Sequence, residues 1–385
     1  MPEGAALFFR AAPYRKTDPK HQAPNLKRLR AAPCQFPVWV ISVWGLFGIW
    51  CSGLGVFAIA RFELYPLIFQ PLAVPKIWGG RGLHIHLGKP FHWLHRYGES
   101  WEVADNRDGV TVIANGPLAG HSLQWLTREH GEELIGAKQR SAFPGRFPLI
   151  AKFLDATGLL SIQVHPDERT ARSHFHEQPK TEAWYVVHAR QGARIYCGTR
   201  RGVTREQFSR SLRSPRPLSC LHGFQPQPGQ TVLIRGGTVH TLGHGVLVAE
   251  IQQSSNTTIR LHDFGRTRHA RDHAPLDIDW GTRIVDYERG PVEPIPPPSA
   301  QQHCATLVEC GKFVMKRLRV TDHAILNTTQ TGFHILMALG GAGRLICRGD
   351  GYDLAKGTTI LVPASLGAYR LEGRMELLCA HLPAM

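Results

Sequence analysis

From Leu64 onward the chain is a succession of short apolar or alternating runs, each closed by Gly, Pro or Asn. They include GVTVIANG (109–116), AWYVV (183–187), ARIYCG (193–198), QTVLIRGG (230–237) and GVLVAEIQQ (245–253). Such runs, rich in Val, Ile and Tyr and bounded by turn formers, predict β-strands. Their close succession predicts a sandwich or barrel rather than an alternating α/β fold. Residues 290–299, GPVEPIPPPS, form a proline-rich connector with little scope for regular structure. Beyond it a second series follows: KFVMKRLRV (312–320), FHILMALGG (333–341), GRLICRG (343–349), TTILVPA (358–364) and MELLCAHL (375–382). Its spacing repeats that of the first, so the pattern predicts a mostly β protein of two similar barrels in tandem. Helical spacing is confined to SLQWLTREHGEELIGA (122–137), a small insert interrupted by Gly131, and to VTREQFSRSL (203–212), where Thr204 is the candidate N-cap.

The N-terminal residues follow neither pattern. Residues 1–35 are rich in Arg, Lys, Pro and Ala without periodic apolar positions, which predicts disorder. Phe36 to Ala60 then runs 25 residues without a charge. That is long enough to span a bilayer, and the basic residues before it would hold the N-terminus on the cytoplasmic side. Three readings stand side by side: a membrane anchor, an overextended gene start with the protein proper beginning near Arg61, or buried structure. The expected organisation is residues 1–60 as this segment, 61–289 as the first β domain with its insert, 290–299 as linker and 300–385 as the second β domain.

Composition narrows the class. A hydrophobic fraction of 43% with 39 Gly and 27 Pro in 385 residues suits a turn-rich globular protein. The formal charge is +15, and residues 1–60 hold seven Lys+Arg against two Asp+Glu. No long basic run or aromatic-interleaved stripe follows residue 30, so nucleic-acid binding is not expected. The excess of positive charge is compatible with an anionic small-molecule substrate, and equally with a basic proteome. The eight cysteines are scattered with no CxxC pair, which argues against a disulfide framework and against a Cys-type metal site.

Four polar side chains sit in or beside apolar runs where an unpaired polar group would be costly: Gln163 and His165 in SIQVHP, Glu182 in KTEAWY and His240 in GGTVHT. Gln163 and His165 are two apart and share a strand face with Ser161, and Pro166 ends the strand. Lys180 shares a face with Glu182, and Gly236 and Gly237 permit a tight bend before His240. An amide oxygen, a carboxylate and two imidazoles suit Zn²⁺ or a similar first-row cation, with water or substrate completing the shell. Separate polar residues at strand ends are the other reading of the same spacing. Glu250, Gln252 and Ser254 alternate along one strand face, a pattern that would line a polar cavity; an exposed alternating strand is the other reading. Arg260 on the next strand would reach that cavity if the two strands pair as a hairpin. In the second series His334 and His381 stand alone, without a neighbouring ligand set, so that region is expected to support rather than catalyse.

These residues closely resemble the type I phosphomannose isomerases, a cupin family of zinc-dependent aldose–ketose isomerases. The likeness runs from Leu64 to the C-terminus through IWGGRGL (77–83), GESWEVAD (98–105), FPLIAKFLDA (147–156), LSIQVHPDE (160–168), KTEAWYVV (180–187) and the stretch from GGTVHTLGHGVLVAEIQQ to LHDFGR. The resemblance implies two cupin-like jelly-roll barrels and one zinc per chain, on Gln163, His165, Glu182 and His240. It makes Arg260 the catalytic arginine and Glu250 an active-site glutamate, and sets Lys152, Ser161 and Lys180 around the substrate. Two departures flank Arg260: SNTTIR stands where SDTTYR is expected, so Asn256 replaces an Asp and Ile259 a Tyr, and LHDFGR stands where LYDWGR is usual.

The implied reaction interconverts D-mannose 6-phosphate and D-fructose 6-phosphate through a cis-enediol. Glu250 is the expected proton carrier, with Lys180 or a water on the cation as rivals, and Lys152 and Ser161 are expected to bind the substrate, either holding its phosphate or orienting the sugar. A metal-dependent cupin oxygenase and a non-catalytic sugar-binding cupin are the alternatives. A phosphorylated substrate implies a cytoplasmic enzyme; membrane attachment follows only if residues 36–60 are a genuine anchor. The oligomeric state is left open.

Overall fold

The computed structural model describes residues 63–175, 178–266 and 275–384. The expectations for residues 1–60 lie outside the described residues. Among those described, no helix is long and apolar enough to cross a membrane.

The fold is mostly β, built as three layers. The middle layer is a six-stranded sheet in the order Thr231–Ile234, Glu182–Ala189, Val246–Gln253, Leu149–Ala156, Glu99–Val103, Leu72–Val74. On one side lies a five-stranded sheet ordered Leu221–Phe224, Ile195–Thr199, His240–Leu242, Ile162–Val164, Ile259–His262. On the other lies a nine-stranded sheet formed largely by the C-terminal series. These jelly-roll-like sheets stack as sandwiches, and among the described residues none closes on itself.

The three-layer arrangement explains why the middle strands are buried on both faces. Leu149–Ala156 is buried at all eight positions. Its Leu149, Ala151 and Phe153, with Ala183, Tyr185, Leu247, Ala249 and Ile251 of the neighbouring strands, pack against Met315, Ile335, Met337, Leu378 and Ala380 of the nine-stranded sheet. On the opposite face, Leu154, Ala156, Trp184, Val186 and Val248 meet Ile195, Cys197 and Leu242 of the five-stranded sheet. Strand alternation thus gives each middle strand two apolar faces. Each fully buried Leu or Phe there contributes about 1.5–3 kcal/mol.

The outer face of the five-stranded sheet is covered by helix Arg205–Leu212 and helix Ile278–Ile284, with Phe208 and Leu212 packed on Ile162, Val164 and Leu261. Thr204 caps the first of these as expected: its Oγ1 accepts from Gln207 N (3.3 Å) while Gln207 Oε1 accepts from Thr204 N (2.9 Å). The insert over 122–137 is three short helices rather than one: Leu123–Glu129, Gly131–Ile135 and Ala137–Arg140. Gly136, at φ 105°, ends the second in a conformation closed to other residues.

Two connections cross between regions that the sequence separates. Strand Leu67–Gln70 pairs with Thr359–Val362, joining the C-terminal sheet. The proline-rich segment is pinned to the first β region, by a bridge between Gly198 and Pro291 and by paired backbone bonds between Thr231 and Ile295 (3.0 and 2.7 Å).

Candidate metal centre and active-site pocket

Ligand-type side chains converge from the two facing sheets. His240 and Gln163 are partners across adjacent strands of the five-stranded sheet, and Arg260 is the partner of Gln163 on its other side. Glu182 opens its strand in the middle sheet, opposite Ile234 and Gln252. The bend before His240 needs its glycines. Gly236 passes so close to Asp167 that a Cβ would lie 2.5 Å from its Cα, and Gly237 has φ 82°. Gly237 N donates to His165 O (2.8 Å), fixing the two histidine segments side by side.

His165, Glu182 and His240 are fully buried, and their ligand atoms lie within 4.8 Å of one another. Each imidazole donates Nδ1–H to a backbone carbonyl: His165 to Thr257 O (3.1 Å) and His240 to Thr238 O (2.9 Å). That fixes the tautomer and turns both bare Nε2 atoms toward Glu182, at 3.3 Å from Oε2 and 3.4 Å from Oε1. Burial, with Lys180 next in weight, holds His165 down at about 3, and burial holds His240 below its ordinary value, so both are neutral. Burial pushes the Glu182 carboxyl up, but Lys180, His165 and His240 outweigh it and keep it well below the usual carboxylate range. Neither Glu182 oxygen accepts a well-formed hydrogen bond, although Lys180 Nζ lies 2.7 Å from Oε2.

This donor set fits a divalent cation. Tetrahedral ligands at ~2.0–2.1 Å from a metal stand about 3.3 Å apart, close to the distance of each Nε2 from its nearer Glu182 oxygen. Positive and donor character already gathers at the same point: Lys180 Nζ lies 3.1 Å from His165 Nε2, and the Gln163 amide nitrogen lies 3.1 Å from His240 Nε2. Turning the Gln163 amide over presents its oxygen there instead.

Above this cluster a pocket of about 600 Å³ opens to solvent, lined by Lys152, Ser161, Gln163, Lys180, Glu250 and Arg260. The nine side chains that the resemblance assigns to the site all line it or lie in the cluster beneath, with Gln163 and Lys180 joining the two levels and Ser161 Oγ 3.5 Å from Gln163 Oε1; Lys152 and Glu250 are direct partners across the middle sheet. Burial, then Glu182, raises Glu250 to about 7 against the opposing pull of Lys152 and Lys180. Its Oε2 accepts from Trp184 Nε1 (2.8 Å), and its Oε1 lies 3.8 Å from Lys152 Nζ. Burial pulls Lys180 down, but Glu182 and Glu250 outweigh it and raise its proton affinity.

Two expectations need correction. Arg260 does not reach the pocket through a hairpin with Val246–Gln253; its strand pairs with Ile162–Val164 in the other sheet. Of the alternating trio, only Glu250 faces the pocket. Gln252 is buried with its amide donating to Ser255 O and Gln253 O (2.5 and 3.1 Å), and Ser254 Oγ donates to Asp105 O (3.0 Å). The two departures near Arg260 also separate. Ile259 packs under the covering helices, away from the pocket, whereas Asn256 lines it and donates to Asp108 Oδ2 (2.8 Å).

Sequence reasoning missed Glu99, Trp101 and Lys76. Glu99 accepts from Trp101 Nε1 (2.6 Å) and lies 3.7 Å from both Lys76 and Lys152, whose ammonium stands over the Trp101 ring at 4.4 Å. The signal was present: Glu99 and Trp101 are two apart in GESWEV, so on a strand they share a face.

Known proteins resemble the chain over the same regions. The family model for "Phosphomannose isomerase type I, catalytic domain" matches residues 69–181, and that for "Mannose-6-phosphate isomerase, cupin domain" matches residues 303–382. Mannose-6-phosphate isomerase ManA of Bacillus subtilis (strain 168) is 32% identical over 328 residues, 82% of this chain and 99% of its own length. A mannose-6-phosphate isomerase of Streptococcus mutans is 30% identical over 318 residues, covering 82% of this chain and 98% of that one. The crystal structure of the mannose 6-phosphate isomerase from Bacillus subtilis superposes with a TM-score of 0.72 at 26% identity, over 82% of this chain and 99% of that one.

Proposed function

The chain belongs to the type I phosphomannose isomerases, and from that premise we propose that it interconverts D-mannose 6-phosphate and D-fructose 6-phosphate through a cis-enediol, with one zinc ion held by Gln163, His165, Glu182 and His240. The observation that carries the metal assignment is the pair of neutral imidazoles whose bare Nε2 atoms face a buried, ionised carboxylate lacking well-formed hydrogen bonds. When bound, the zinc ion supplies Lewis-acid polarisation of substrate oxygens.

The remaining work falls to the side chains of the pocket. Moving a proton between C2 and C1 requires a base near its own pKa, and Glu250, raised to about 7, is poised to accept and return it. Trp184 holds one Glu250 oxygen and so orients the other toward the pocket. Lys180 keeps its proton, which favours Glu250 over it as the base. The Arg260 guanidinium stabilises charge that develops on the sugar oxygens. Lys152, held between Glu99 and Glu250, binds the anionic substrate together with Ser161. A phosphorylated substrate supports a cytoplasmic location.

The test is turnover of mannose 6-phosphate in a coupled assay, before and after chelation and again after zinc is restored. Activity should vanish with the metal and return with it. Retained turnover in fully metal-free protein would overturn the proposal.

A further inference from the structure

On the face of strand Glu182–Ala189 turned away from the active-site pocket, a second cavity of about 420 Å³ opens between the two β regions. Tyr185 forms one wall, Arg317, Arg319 and Glu376 of the C-terminal sheet form another, and Pro297 of the proline-rich segment covers it. Arg317 is 3% exposed, yet its one hydrogen bond runs from Nη2 to Ser299 O (2.8 Å) and its Nε has no partner. Among the described residues no carboxylate forms an ion pair with it. Glu376 is engaged elsewhere: it accepts the Tyr185 hydroxyl proton (2.8 Å) and stands directly opposite Arg319 on the strand ladder. Arg319 in turn donates to Ala300 O.

A guanidinium removed from water without a carboxylate paired to it is costly, and a bound anion removes that cost. The planar fork also matches the oxygens of a phosphoryl or carboxylate group. We infer that this cavity is a second ligand site, which takes a small metabolite through such an anionic group on Arg317, with the rest of the molecule lying against Pro297. The site is separate from the isomerase pocket: their linings share no residue, and on the shared strand the Trp184 and Tyr185 side chains point to opposite faces. It rests on none of the assignments made for the metal centre.

Calorimetric titration of the intact, zinc-loaded protein with inorganic phosphate, and separately with acetate at matched ionic strength, tests it. Wild-type protein should show a phosphate or acetate site that weakens roughly 10–100-fold in Arg317→Gln, the loss of a charge-assisted hydrogen bond. Turnover of mannose 6-phosphate should stay within about twofold of wild type, because Arg317 touches nothing in the pocket. Glu376→Gln removes the one competing negative charge and should tighten the same site about fivefold. The anion that responds to both substitutions identifies the group recognised. Binding of both anions unchanged in both variants, or no binding by wild type, would refute the site. If Arg317→Gln does not fold, unchanged binding in Glu376→Gln alone overturns it.

Discussion

Both β regions bury a pair of histidines, and the two pairs have different fates. In the first, His165 and His240 lie with ring centroids 4.7 Å apart; in the C-terminal region His334 and His381 lie 5.6 Å apart, although nothing in their sequence spacing joins them. Both members of each pair are buried, and burial lowers the proton affinity of His165 and His334 alike, each to about 3. What differs is where the second ring nitrogen points. The first pair spends Nδ1 on backbone carbonyls and aims Nε2 at Glu182. His334 spends both nitrogens on hydroxyls, of Thr331 (2.6 Å) and Tyr369 (2.7 Å), while His381 donates to Leu382 O (2.7 Å). Among the described residues, His165, Glu182 and His240 form the one His/Cys/Asp/Glu group placed to hold a metal. Two buried imidazoles are therefore not enough for a candidate metal site; unprotonated ring nitrogens must converge on a carboxylate.

That contrast is open to direct attack. The largest effect is expected from Glu182→Ala, which should remove stoichiometric zinc, measured by elemental analysis, and lower turnover by at least about 10³-fold. Zinc retained at one per chain would erase the distinction between the two pairs. Glu250→Gln should keep zinc and cost about 10²–10⁴-fold in kcat. In wild-type protein, Glu250 accepts a proton only when ionised, so kcat/KM should fall tenfold per unit as pH drops below about 7 and level off above it. A flat profile down to pH 5 would remove Glu250 as the base. Arg260→Ala should lower kcat by about 10²–10³-fold with zinc still bound, and an unchanged kcat would take Arg260 out of the chemistry. The smallest change in turnover should come from His334→Gln: metal content and kcat within about twofold of wild type, with about 1–3 kcal/mol lost in denaturant unfolding as Tyr369 and Thr331 lose their partner. Loss of zinc there would show that the second pair matters to the first.

The convergence of the four ligand-type side chains was legible because each lies on a strand or directly at its end, where alternation decides which face it joins. Gln163, His165, Glu182 and His240 needed no knowledge of strand order to be placed in a cavity. Arg260 was assigned to the right cavity with the wrong neighbour. Between Gln253 and Ile259 the chain leaves the middle sheet for the five-stranded one, anchored by Ser254 on Asp105 O and Ser255 on Gln178 O, bonds about 75 to 150 positions away in sequence. A sheet change of that kind leaves no local signature, whereas a hairpin does. Glu99 and Lys76 escaped for a related reason: their place beside Lys152 depends on strand Glu99–Val103 pairing with Leu149–Ala156. The pairing of His334 with His381 likewise depends on strands whose order the spacing does not specify.

The ladder between Leu67–Gln70 and Thr359–Val362 sets a timetable for the protein's synthesis. Leu67 finds its partner at Leu361, 294 positions later. At ~5–20 residues per second, a ribosome takes ~15–60 s to cover that distance. For all of that time the apolar strand Leu67–Gln70 has an open edge, and the nine-stranded sheet cannot be completed until Thr359–Val362 has left the exit tunnel. A nascent chain halted before residue 359 should therefore stay protease-sensitive at Leu67–Gln70 and depend on chaperones to shield it, however complete the His165–Glu182–His240 cluster between the other two sheets already is.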